Sequence, residues 1–398
     1  MKTDECQGEA SLLPAACAAV NAKRLVDTAG RMISKPSPTG SAGAAADELA
    51  AILAEDGFAV ERPPAGHPTS PAVVVRFSSG RPGRTLQFNG HLDTVHLPFV
   101  PPNVSDNLLT GSGSADMKGG IAAAVEALRA VRDAGGLTGG EILFSAQDLH
   151  ELPWGDGSQL EGLIAEGYVG DAVLLPEYLN TALPVVGRGG LIWLVTVRRP
   201  GPPIHEVYRP NEPSVIAVGA ELVARLNRLD AELGRESDPL AGAASAFVGL
   251  IQSGSIYNEY PQTCRLEGTR RWLPGTRFAE ADPQFRAICA NLASETGTVI
   301  DVKTKLMRDA FRLDTADPFV EVFQSAYSTM SGERLPLGGK PFVDDGNTFW
   351  SSAGIPAITH GPKAGGAHTT AEWASIDDLV RVARLYALVA INYCHSHS

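Results

Sequence analysis

Cysteine is scarce: Cys6, Cys17, Cys264, Cys289 and Cys394 are scattered, odd in number and never arranged as CxxC. This excludes a disulfide framework and fits free thiols in a reducing compartment. No run approaches the ~20 consecutive apolar residues of a membrane span. The opening MKTDECQGEASLLPAACAAV lacks the basic-then-apolar order of a secretory signal, so a cytoplasmic location is expected. Lys and Arg nowhere cluster, and the formal net charge is -12. Nucleic acid and anionic membrane surfaces are thereby excluded as main partners, because both require a basic patch. Internal repeats are absent, as is low-complexity sequence beyond alanine-rich helices.

What remains is the composition of a globular protein, with 44% hydrophobic and 20% charged residues and many turns set by 42 Gly and 28 Pro. A length of 398 residues exceeds one ordinary core and points to two or three domains. Helical spacing of Ala, Leu and Ile predicts helices over 17–34 and 41–57. Strand patterns follow in PAVVVRF, RTLQFNG, EILFSAQ and DAVLLP, with a helix in DMKGGIAAAVEALRAVRDAGG between the second and third. Strand and helix alternate, so the fold class is α/β, a doubly wound, mostly parallel sheet. The texture changes near residue 187: the strands GLIWLVTVRR, AFVGLIQSG, TCRLEGTRRWL and TVIDVKTKLM surround the helices PSVIAVGAELVARLNRL and DPQFRAICANLASE. From about 313 the first texture resumes, with DPFVEVFQSAYSTM, AITHGP and the closing helix SIDDLVRVARLYALVAINY. The expected organisation is a discontinuous catalytic domain, 1–186 and 313–398, carrying an α+β insert over 187–312.

Ligands of open α/β sheets gather at the carboxyl ends of strands. His91 and Asp93 follow RTLQFNG, Asp116 follows GSGSA, Glu151 follows EILFSAQDLH, Glu177 follows AVLLP, and His368 lies in PKAGGAHTTAEW. Two His and three carboxylates in such loops suit borderline metals such as zinc. Three carboxylates against two divalent ions, with a bridging hydroxide, reach neutrality, which favours a pair of ions with Asp116 as bridge. Asp93, two residues beyond His91, is placed to accept its ring N–H. Taken singly each residue has an ordinary reading: HxD as a surface turn, Asp116 as a helix N-cap, Glu151 and Glu177 as solvated loop acids. His96 and His360 read as structural.

The ordered set GHLDTV, GSGSADMKGG, a strand ending in HE, LLPEY and AHTTAEW resembles the aminoacylase, carboxypeptidase-G, acetylornithine-deacetylase and succinyl-diaminopimelate-desuccinylase family of co-catalytic zinc peptidases, over nearly the whole chain. The resemblance implies two Zn2+, with Co2+ or Mn2+ as substitutes. His91, Asp116 and Glu177 would hold one ion and Asp116, Glu151 and His368 the other, with Asp93 behind His91. It also implies that the insert is a lid domain through which a homodimer forms. GPPIHE resembles the lid loop whose histidine, here His205, reaches a partner's active site and stabilises an oxyanion. QSGSIYNEYPQTCRLEGTRRWLPG resembles the segment whose Asn and Arg, here Asn258 and Arg271, bind a substrate carboxylate. The family usually has an acid two residues before that arginine, where this chain has Thr269. The implied substrate is a small carboxylate-bearing amide, such as an N-acyl amino acid or a dipeptide-like compound.

One departure matters more. Family members carry two consecutive glutamates after the third strand, the first acting as general base; here the pair reads His150-Glu151. Three readings stay open: His150 is the base, it is an extra metal ligand, or the site forms or cyclises an amide instead of hydrolysing one. Asp148 replaces it only if the loop register differs.

Overall fold

The computed structural model describes residues 12–211 and 213–395; Cys6 and the first eleven residues of the N-terminal stretch lie outside the described residues. The chain divides into two compact units, one of Met1–Val185, Leu313–Gly338 and Thr348–Ser398, the other of Val186–Arg312 and Gly339–Asn347.

The first unit is built on a six-stranded sheet in the order Val60–Glu61, Val73–Ser78, Glu141–Gln147, Thr85–His91, Ala172–Leu175, Ala357–Thr359. The last four run parallel, and Val73–Ser78 joins antiparallel. The parallel strands read as almost continuous apolar runs because they are covered on both faces, and Ala172–Leu175 is buried throughout. The helices Lys118–Asp133 and Ile376–His395 pack on each other and on Thr85–His91, while Gly43–Glu55 packs on Val73–Ser78. Gly120 lets the first of these helices approach the strand end that carries Glu177, since a Cβ there would sit 1.8 Å from the Pro176 carbonyl oxygen. The helix expected over 17–34 is interrupted: helical backbone covers 12–19, and a second helix, Ala22–Ile33, starts at Asn21, whose side chain accepts from Arg24 N at 3.0 Å.

The second unit is a four-stranded antiparallel sheet, Ser245–Ser253, Thr263–Trp272, Gly189–Arg198, Val299–Arg308, with helices Val215–Leu233 and Phe278–Thr296. Alternation along Gly189–Arg198 sends Leu191, Trp193, Val195 and Val197 into a core shared with Leu222 and Phe285. The second helix starts before the DPQF segment because the Asp309 carboxylate accepts from Phe278 N at 3.1 Å, a partner remote in sequence. Gly339–Asn347 belongs to this unit although its neighbours on both sides belong to the first. Buried charges fix it there: Lys340 Nζ lies 2.5 Å from Asp344 and 4.0 Å from the Phe311 ring centroid, and Arg308 meets Asp345 at 3.1 Å. Among the described residues no helix is long and apolar enough to cross a membrane.

Candidate metal centre

Asp116 stands at the middle of the first unit's polar cluster. It follows Gly111 and Gly113, both in the left-handed region of φ, and precedes a cis peptide to Met117. Met117 rather than Asp116 occupies the N-cap position of helix Lys118–Asp133, and no side chain caps it. The Asp116 carboxylate is therefore available elsewhere. Its Oδ1 lies 3.0 Å from His91 Nε2 and its Oδ2 lies 3.3 Å from His368 Nε2. His91 Nε2 is also 3.6 Å from Glu177 Oε1, and His368 Nε2 is 3.2 Å from Glu151 Oε2. Donor atoms around one tetrahedral zinc are about 3.3 Å apart when the bonds are ~2.0–2.1 Å, so these separations are those of ligands sharing an ion. The two groups meet at the two oxygens of Asp116, as a bridging carboxylate requires.

Burial makes the cluster demanding without cations. Glu177 is 2% exposed, and its Oε2 has no hydrogen-bond partner among the described residues. Burial, then the charge of Asp116, pushes its carboxyl up to about 7. Burial opposes ionisation of Asp116 as well, but His368 and His91 outweigh it and hold that carboxyl well below the usual range. For His91 burial favours the neutral ring, yet hydrogen bonds to Asp116 and Glu177 raise its pKa well above normal. His368, paired with Asp116 and Glu151, rises to about 10. Protons thus stand where divalent ions would neutralise the same acids. An orphaned buried carboxylate oxygen and a hard, imidazole-containing donor set both fit a pair of such ions.

Supporting residues fix this arrangement. His91 Nδ1 lies 3.0 Å from the backbone carbonyl of Asp93 and 3.6 Å from its carboxylate. The carbonyl is therefore the nearer acceptor for the ring N–H, and the carboxylate accepts backbone N–H groups from His150 at 3.1 Å and Glu151 at 2.9 Å. Asp93 thus joins two ligand-bearing turns. Leu149 and His368 both adopt left-handed backbone, with φ of 66° and 61°, which for non-glycine residues is held only by the surrounding structure. His150 is half-buried and stacks on His91, with ring centroids 3.9 Å apart and planes 2° apart. His150, His91 and Glu177 each bring a donor atom within 4.8 Å of the others. Asp148 is engaged elsewhere, accepting from Gly40 N and Ala42 N at 2.9 Å each.

Glu372 was not singled out from the sequence. One of its oxygens accepts from Gly113, Ala115 and Asp116 N–H groups at 3.1, 3.2 and 3.3 Å, so it clasps the loop that presents Asp116. Its only sequence signal is an acid four residues after His368. His360 is a core residue among the rings of Phe323, Tyr327 and Tyr386, and burial pushes it down to about 3.

The lid residues lie in the second unit. His205 and Asn258 are neighbours, the Asn258 amide nitrogen 3.0 Å from His205 Nε2, and a short ladder pairs His205 with Glu259. Arg271 is on Thr263–Trp272 opposite Gly190. Burial, and secondarily the positive charge of Arg188, lowers its pKa. Arg188, in GRGG, was also missed by sequence reasoning, because nothing in the local sequence brings it beside Arg271.

Fold and site together define a metallohydrolase: an α/β domain with an inserted lid and a carboxylate–histidine cluster at the strand ends, buried except for the exposed His368. The chain belongs to Peptidase family M20/M25/M40, whose sequence profile matches residues 87–392. It is 28% identical over 387 residues to a succinyl-diaminopimelate desuccinylase of Methylorubrum extorquens, covering 91% of this chain and 97% of that one. A tripeptidase of Staphylococcus aureus has the same fold, with a TM-score of 0.78 and 21% identity over 95% of this chain and all of that one. So does a dinuclear metal-binding peptidase of Bacillus subtilis, with a TM-score of 0.67 and 16% identity over 94% and 99% of the two chains.

Proposed function

We propose that the protein is a dinuclear zinc amidohydrolase acting on a small carboxylate-bearing amide, an N-acyl amino acid or a dipeptide-like compound. The observation that carries this reading is the division of Asp116, one oxygen toward His91 and the other toward His368. His91, Asp116 and Glu177 would hold one ion and Asp116, Glu151 and His368 the other, with cobalt or manganese as substitutes for zinc. When bound, such a pair supplies a nucleophilic water near neutral pH and polarises the amide carbonyl. His150 would accept a proton from the nucleophilic water and return it to the leaving nitrogen. Its stack on His91 and the grip of Asp93 on its backbone keep it in reach of the ligand cluster. Arg271 holds the substrate carboxylate, with Arg188 adding positive charge, and Asn258 reaches it from a second copy together with its neighbour His205.

His205 serves the oxyanion in the site of a second copy. Exposed Phe247, Leu250 and Ile251 on the edge strand Ser245–Ser253 support lid-to-lid pairing of two copies. The absence of a membrane-crossing helix among the described residues is compatible with work in the cytoplasm.

Elemental analysis of the purified protein, run beside a mass-spectrometric screen of N-acyl amino acids, tests the reading. Two zinc per chain with product release supports it; a chain that takes up no zinc under loading refutes it. The imidazole in the base position favours one alternative, an amide-forming or cyclising reaction. Two zinc with no hydrolysis, together with hydrolysis gained in His150→Glu, would put that alternative in its place.

A further inference from the structure

Two aromatic residues outside the ligand set stand on the turns that carry it. His96 follows Asp93 by three residues and Trp154 follows Glu151 by three. At ~3.3–3.6 Å per residue, neither Cα is more than about 11 Å from that of the site residue it follows. The imidazole and indole stack, with centroids 4.4 Å apart and planes 10° apart. His96 is anchored from behind, its Nε2 lying 3.1 Å from the Thr39 carbonyl oxygen.

The turn under Trp154 is equally fixed. Gly155 N donates to the Glu151 carbonyl at 2.6 Å, and the N–H groups of Asp156 and Gly157 both donate to the Leu149 carbonyl, at 3.1 and 2.8 Å. A Cβ on Gly155 would lie 2.3 Å from that same carbonyl oxygen, so the turn closes only on glycine. The Asp93 carboxylate then ties this turn to the one bearing His96.

For all this support Trp154 is not a core residue. With one face on His96 it remains 45% exposed. A rigid, half-open indole loses little conformational freedom when a ligand covers it, which is what a recognition surface needs. We propose that Trp154, backed by His96, is the platform for a planar or aromatic group of the substrate. The substrate class is narrowed accordingly to amides that carry such a group. This inference rests on the metal-centre reading.

The test is calorimetric titration of the zinc-loaded full chain with acetohydroxamic acid and 3-phenylpropanohydroxamic acid, metal-binding probes that share a head group and differ in the ring. The phenyl compound is expected to bind about 10-fold more tightly, the scale of one good aromatic contact together with its burial. Trp154→Ala should abolish that preference and leave acetohydroxamate affinity unchanged, while Trp154→Phe retains most of it. Equal binding of the two probes by the native chain, or a Trp154→Ala variant that weakens both alike, overturns the platform. If neither probe binds the zinc-loaded chain, the metal-centre reading fails first and the platform falls with it.

Discussion

Glu177→Gln isolates what the acid cluster costs the protein before metal arrives. Burial and the neighbouring charge of Asp116 raise the Glu177 carboxyl from an ordinary 4.5 to about 7, and its Oε2 has no hydrogen-bond partner among the described residues. An acid whose pKa is raised by folding destabilises the folded state wherever it is ionised in the unfolded one. The penalty begins near pH 4.5, grows as pH rises and is complete above pH 7. At ~1.4 kcal/mol per tenfold change, it amounts to about 3 kcal/mol at pH 8. The amide keeps the shape and removes the charge, so metal-free Glu177→Gln should be more stable than metal-free native protein by up to that amount at pH 8. The two should be nearly equal at pH 4.5. For a unit of this size the gain corresponds to roughly 6–10 °C in Tm. Urea or thermal denaturation of chelator-treated protein at the two pH values reads it directly. Zinc should then stabilise the native chain far more than the variant, because a ligand has been lost. A variant less stable than native protein at pH 8 in the absence of metal would refute the reasoning, since it would mean that the ionised carboxylate is well satisfied where it lies.

Two further outcomes follow from the same geometry. His91 and His368 hold protons well above their ordinary range in the metal-free cluster, and each must be neutral to bind an ion. Zinc loading near pH 7.5 should therefore release at least two protons per chain, one from each imidazole, and a further one where a bridging hydroxide forms, and apparent affinity should rise with pH; calorimetry in buffers of different ionisation enthalpy counts them, and a count near zero contradicts the pairing. Glu372→Ala removes the acceptor shared by Gly113, Ala115 and Asp116, and should weaken zinc binding about 10- to 100-fold in a competition assay with a chelator while the fold persists. Unchanged affinity would mean that the loop holds Asp116 without this clasp.

The sequence alone determined the ordering of parts. Apolar runs such as AVLL are long enough to specify strands covered on both faces, and the polar residues that follow them fall at strand ends whatever the details of packing. Hence His91, Asp116, Glu151, Glu177 and His368 could be grouped, and the change of texture near residue 187 could be read as an insert. Local propensity also reached too far. It ran one helix through Val20 and Asn21, where the Asn21 side chain stops the preceding turn and caps the next, and it missed the start of Phe278–Thr296, which depends on Asp309.

Tertiary structure alone decided what those residues face. That Asp116 offers one oxygen to each histidine, that Asp93 grips two backbone N–H groups, and that His150 lies flat on His91 all depend on loops 25 to 252 residues apart being brought within a few ångströms. Neither Glu372 nor Arg188 has a local pattern to announce it, because each acts on a partner remote in sequence. The physical reason is one of range: hydrophobic periodicity is written in neighbouring residues, whereas the direction of a carboxylate's lone pairs is fixed only when distant backbone closes around it.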